Sequence, residues 1–192
     1  MHDYLTKLLQ QKETIFHTQD LAIIWKIANK NTLYTTIKRY CHKKALFSLQ
    51  KGMYSSIEPE KLNPCLLGIK ALHNYAYLSC ETVLSQKGYI NQLVNEITLI
   101  SDQSLHLKIY KYHYRTRKLK DEFLYNPAGI TEINGVKTAT LERAIADLLY
   151  FNPQAHFDRQ PNWNLIKKIQ QEINYPLTYK RYACTKKRRH NS

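Results

Sequence analysis

The residues best suited to chemistry lie between Thr32 and Lys51. Thr32, Thr35, Thr36 and Arg39 supply hydroxyls and a guanidinium of the kind that hydrogen-bond base edges. Lys38, Lys43, Lys44 and Lys51 supply ammonium groups of the kind that meet phosphates. From Lys26 to Lys51 there are seven Lys or Arg and no Asp or Glu. A merely solvated face usually mixes signs, so the absence of acids favours a polyanionic partner. The bland alternative is a small helical domain with a solvated basic face.

Catalysis is poorly supplied by comparison. Glu142 and Asp147 are five apart on a helix, about 140° round, so they do not share a face. There is no phosphate-binding G-x-x-x-x-G-K-[ST] loop, no G-x-S-x-G and no H-E-x-x-H. With five Gly in all, a glycine-rich phosphate cradle is hard to build. No enzyme is expected. Glu142 and Arg143 read as a surface or interdomain ion pair. Cys41, Cys65, Cys80 and Cys184 are scattered with no C-x-x-C pair, and the eight His do not cluster. No metal and no cofactor is expected, and the Cys read as reduced thiols of a cytoplasmic protein.

The whole chain sets the same direction. It has 192 residues and a net charge of +14. Such a field favours nucleic acid, an anionic membrane or an acidic protein. No apolar run approaches the roughly 20 residues of a membrane span, and the N-terminus lacks the order of a signal peptide. Hydrophobic content of 43% with 15 Tyr argues for folded cores.

The elements that must position these residues follow from periodicity. Residues 3–11 read as a short helix. Thr18 is cap-like, with Leu21, Ile24 and Trp25 at helical spacing. A second helix, capped by Asn31 or Thr32, runs to about Lys44, with Leu33, Ile37, Tyr40 and Cys41 on one side. Residues 45–55 read as two short strands turning near Lys51-Gly52. Together these make a winged helix-turn-helix over residues 1–56. Ile57-Glu-Pro-Glu-Lys-Leu-Asn-Pro reads as a linker and the domain boundary.

A mixed α/β domain is expected over residues 62–183, so the fold class is α+β. It begins with a helix over 63–73. A second helix opens at Ser79, with Thr82 and Glu81 in a capping-box-like turn, and stops at Gly88. Strands are expected at 97–101, at 106–114 as one half-buried strand, at 123–125 and within 130–139. Asn134-Gly135 signals a type I′ hairpin. Thr140 caps a helix whose stripe is Leu141, Ile145, Leu148 and Leu149, and 163–173 is a final amphipathic helix. Residues 184–192 are a basic tail, with Lys186 to Arg189 able to add phosphate contacts or solubility.

A second basic segment holds Lys108, Lys111, Arg115, Arg117, Lys118 and Lys120, interleaved with Tyr110, Tyr112 and Tyr114. It reads equally as a nucleic-acid surface with stacking tyrosines or as a Lys-protected edge strand leading to a solvated loop.

Several stretches together resemble a known family. They are the basic region above with Lys51-Gly-Met-Tyr, then Tyr77-Leu-Ser-Cys-Glu-Thr-Val-Leu-Ser-Gln-Lys-Gly, a strand ending Ile-Ser, and Thr140-Leu-Glu-Arg-Ala-Ile-Ala-Asp-Leu-Leu. In that order and spacing, from about Thr14 to Tyr150, the chain resembles the AbiEi family of type IV toxin–antitoxin (abortive infection) systems. The resemblance implies a winged helix that binds inverted repeats in its own promoter and represses the operon. It also implies an antitoxin domain that counteracts a nucleotidyltransferase-like toxin without a stable complex. The recognition helix maps to Thr32 through Lys44 and the wing to about Leu46 through Tyr54. Ser79, Glu81, Gly88, Glu142, Arg143 and Asp147 match the pattern as caps, turns and internal pairs. The chain is short for the family, which leaves open a reduced antitoxin domain or a lone regulator. The alternatives are a protein-interaction module that meets an acidic partner, and an RNA-binding protein using the Tyr-rich strand.

Overall fold

The computed structural model describes residues 4–91 and 95–177. The basic tail, Cys184 and the last part of the expected second domain lie outside the described residues. The fold is mixed α+β, and the chain divides into two compact units. The first holds residues 4–71 and 109–111, and the second holds 72–108 and 112–177.

In the first unit the order is α1 (Tyr4–Leu9), β1 (Ile15–His17), α2 (Thr18–Trp25), α3 (Lys30–His42), β2 (Phe47–Gln50) and β3 (Met53–Ser55). A 3₁₀ turn at Pro59–Lys61 and α4 (Pro64–Ala71) follow. The strands form an antiparallel sheet in the order β1-β3-β2. Leu8, Phe16, Leu21, Trp25, Ile27, Leu33, Ile37 and Leu46 make one buried cluster among the helices and this sheet. Trp25 sits at its centre, its indole N–H donating to the Tyr4 carbonyl at 3.0 Å.

The caps explain the helix starts. The Asp20 carboxylate accepts from the His17 backbone N–H at 2.7 Å, so α2 begins with Thr18 already inside it. α3 is capped by Asn29, neither Asn31 nor Thr32, and its side-chain oxygen accepts from the Thr32 N–H at 3.1 Å. That frees Asn31 and Thr32 from capping duty. Replacing Asn29 with Ala should cost about 1 kcal/mol of stability, read as a lower urea midpoint at unchanged slope.

The division between the units falls after Ala71, later than the proline-marked stretch suggests. The reason is local. The His17 ring N–H donates to the Lys70 carbonyl at 2.7 Å, and the Lys70 ammonium meets Glu13 at 2.6 Å. These bonds fasten α4 beside β1, so Pro59 and Pro64 mark turns within the unit.

The second unit is built on a six-stranded mixed sheet. Its strands are β4 (Tyr77–Leu78), β5 (Ile97–Ser101), β6 (His106–Ile109, its last residue counted with the first unit), β7 (Tyr112–Lys118), β8 (Ile130–Ile133) and β9 (Val136–Ala139). The order is β6-β7-β5-β4-β9-β8, with β5 and β7 parallel and β4 and β9 parallel. The helices are α5 (Cys80–Gln86), α6 (Asp121–Leu124), α7 (Leu141–Phe151) and α8 (Trp163–Ile173). α8 has the bounds that periodicity gave, and α7 starts where its cap was expected, with Thr140 accepting from the Arg143 N–H. Asn134 and Gly135 both have positive φ, 53° and 76°, as a type I′ turn requires.

Four expectations fail here. The single strand over 106–114 is two strands, because Tyr110 adopts a left-handed φ of 53° and reverses the chain. Residues 121–124 are helical, so the expected strand at 123–125 is α6. The Ser79 hydroxyl does not cap α5. It donates to Asp147 at 2.7 Å, while Thr82 accepts from the Thr98 N–H. Finally, Arg143 is no surface or interdomain cation: it is fully buried.

The buried Arg143 explains how the second unit coheres. Its Nε donates to Asp147 Oδ1 at 3.0 Å. One terminal nitrogen donates to the carbonyls of Asn126 and Ala128, the other to the Tyr77 hydroxyl and the Phe123 carbonyl. All five donors of the guanidinium are thereby used. Asp147 accepts in addition from Ser79, Tyr77 and Tyr175. Burial works against the charge on Arg143, yet Asp147, with the hydrogen bond to the Tyr77 hydroxyl, holds its pKa above the ordinary value. Burial, then Asp147, pushes both phenols up, so they stay neutral donors. Gly129 passes so close that a Cβ there would lie 2.8 Å from the Arg143 Cβ, and its φ is +70°. Among the described residues, no helix is long and apolar enough to cross a membrane.

Candidate nucleic-acid interface

α3 presents its polar side outward. Thr32, Thr35, Lys38 and Arg39 are exposed along it. Asn31, Thr32, Thr35, Thr36 and Arg39 line one open depression of about 400 Å³. On the opposite side Leu33 and Ile37 are buried and Tyr40 and Cys41 half-buried, as their spacing requires.

Thr36 departs from its expected role. It is 6% exposed and belongs to the inner side. The cause is the helical wheel: 33, 36, 37 and 40 follow the i, i+3, i+4, i+7 rule of one face. Thr36 therefore borders the depression from below, and it drops out of the set of residues that reach outward.

Further cations stand at the end of α3 and in the β2–β3 turn. α3 ends at His42, so Lys43 and Lys44 stand just beyond its C-terminus. Both are exposed, and positive charge is favourable there against the helix dipole. The Arg39 guanidinium lies over the Tyr40 ring at 5.5 Å. Tyr40 in turn packs on Trp25 at 5.4 Å. The outward cation is thus seated on an aromatic stack that begins in the core.

Lys51 is exposed in the turn between β2 and β3. That turn is held in place. The Thr18 backbone N–H donates to the Gly52 carbonyl at 2.9 Å and its hydroxyl donates there too. Gly52 has a φ of +80°, which a side chain would strain. The hairpin is therefore anchored to the first turn of α2.

Two residues escape a reading that looks only for cations and hydroxyls. Asn31 lines the depression, and its amide offers both donors and an acceptor. Tyr34 is 54% exposed on the same helix. The available signal was a large aromatic placed off the apolar stripe. Among the described residues, no group of three or more His, Cys, Asp or Glu is placed to hold a metal ion.

Comparison with known proteins adds a fold. The chain resembles the crystal structure of the RV2827C protein from Mycobacterium tuberculosis, with a TM-score of 0.54. The match covers 91% of this chain and 71% of that one. Identity is 10%. The likeness is one of fold. No family model matches the chain, and no curated protein does.

Proposed function

We propose that this protein is a winged-helix, double-stranded-DNA-binding transcriptional repressor of the AbiEi type, acting in the cytoplasm. The observation that carries this reading is the outward face of α3. It offers exposed Asn31, Thr32, Thr35, Lys38 and Arg39, and the chain from Lys26 to Lys51 holds no carboxylate to repel phosphate. In this reading α2 and α3 are the helix-turn-helix, and the β2–β3 hairpin is the wing. Asn31, Thr32, Thr35 and Arg39 reach base edges in the major groove, and Lys38, Lys43, Lys44 and Lys51 meet phosphates.

The antitoxin half of the proposal, opposition to a nucleotidyltransferase-like toxin, is supported by the family resemblance. Its test is co-expression with such a neighbouring gene product. Restored growth supports the role, and unrelieved toxicity removes it.

The DNA-binding half is tested by titrating the protein with duplex DNA from upstream of its own gene. A shift on an inverted repeat that resists a random-sequence competitor is the expected result. Lys51→Ala should weaken all sequences alike and flatten the salt slope by about one unit. Parallel slopes for mutant and wild type would take Lys51 out of the contact set.

A further inference from the structure

The β6–β7 segment left two readings open, and its geometry separates them. Thr116 donates its backbone N–H to the Leu105 carbonyl, and the Leu105 N–H donates to the Thr116 hydroxyl. Counting back along these neighbouring strands sets His106 opposite Arg115 and Lys108 opposite His113. Opposed residues of an antiparallel pair share a face. The other face carries Leu107, Ile109, Tyr112 and Tyr114, of which Ile109 and Tyr114 are fully buried. Tyr112 and Tyr114 therefore turn inward and these cations outward, while Tyr110, in the turn, stays 38% exposed.

His106, Lys108, His113 and Arg115 are all exposed. Among the described residues no carboxylate pairs with Lys108, His113 or Arg115, and only His106 meets one, Glu96, at 3.3 Å. The next residue on this face, Arg117, is different. It is paired with Glu81 and lies over Phe151 at 5.4 Å. The uncompensated charge thus ends where the helices begin. Edge protection accounts for Lys108, because β6 is an edge strand. It does not account for Arg115, since β7 lies between β6 and β5 and has no free edge to guard.

We propose that this outer face of β6 and β7 is a second, sequence-independent contact for the phosphates of duplex DNA, centred on Lys108 and Arg115. This rests on the reading of the protein as a duplex-DNA binder. The duplex is favoured over a single strand because Tyr112 and Tyr114 lie on the inner face, which leaves only the small imidazoles of His106 and His113 beside the outward cations, and large stacking rings are what single-strand binders use. Lys108 and Arg115 are diagonal neighbours across the β6–β7 pair, which places them roughly 7–8 Å apart. One strand of a duplex places a phosphate about every 3.4 Å of its axis. The face therefore suits about two phosphates.

The test uses the full chain and a random-sequence 30-base-pair duplex, titrated over a range of salt. Lys108→Gln with Arg115→Gln should flatten the salt slope by about two units, with an unchanged melting temperature. Arg39→Ala, titrated on the upstream inverted repeat, provides the independent arm on α3. A flattened slope in the strand variant supports the second contact, whatever Arg39→Ala does. An unchanged slope in the strand variant, with weakened binding by Arg39→Ala, overturns the second contact and leaves the reading of α3 intact. Absence of duplex binding by the wild type overturns both. Single-stranded DNA competing better than duplex, or poly-glutamate competing as well, would assign the face to a different partner and overturn the proposal.

Discussion

Asp147→Ala is expected to destabilise the second unit by about 3–5 kcal/mol, enough to unfold it in mild urea. Removing the carboxylate leaves the Arg143 charge buried without its counter-charge. It also strands the hydroxyls of Ser79, Tyr77 and Tyr175, which donate to Asp147. The net worth of the pair is smaller than that loss. A double variant, Arg143→Met with Asp147→Leu, removes both charges and should lose much less than the sum of the single changes. Urea unfolding followed by tyrosine fluorescence, on the double variant and on its two components Arg143→Met and Asp147→Leu, measures the coupling. Additive losses would show that Arg143 and Asp147 do not act as a unit.

The second large effect is on binding. Arg39→Ala should weaken binding to the promoter repeat by roughly 1–3 kcal/mol and relax sequence preference there. Arg39 is exposed, so the protein should keep its stability. Thr36→Val is the natural contrast, because Thr36 lies on the inner side of α3 and should not alter sequence preference. Gel-shift titrations on the repeat and on a scrambled duplex separate the two. A preference lost with Thr36→Val and kept with Arg39→Ala would reverse the assignment.

The fold was readable where one element carries its own signals. α7 has a capping Thr140 and a dense apolar stripe, and α8 has the strongest contrast of faces, so the start of α7 and both ends of α8 emerge where they lie. The Asn134-Gly135 turn is legible because few residues tolerate two successive positive φ angles. The β6–β7 reversal is illegible for the converse reason, since it uses Tyr110 where a Gly or Asn is expected. α6 has four residues and β1 three, too few for any period to register.

The candidate interface was readable in its charges and misread in one position. Thr36 looked outward by chemistry, but its place in the 33-36-37-40 series sets it inward. Arg143 shows the limit most plainly. A cation within an amphipathic helix reads as surface, and only the folded chain brings the Asn126, Ala128 and Phe123 carbonyls to it. The Tyr-rich strand is similar. Alternation was visible, but which set faced the core depended on a turn that the residues did not announce.

In the proposed reading, α3 meets a duplex through Arg39 and its neighbours. The most direct measurement is the affinity of wild type and Arg39→Ala for duplex DNA from the protein's own upstream region, at two salt concentrations. Tight, repeat-dependent binding by the wild type is expected, with a loss of roughly 5- to 150-fold in the variant, equivalent to about 1–3 kcal/mol. Equal affinities of the two proteins for that duplex would contradict that reading.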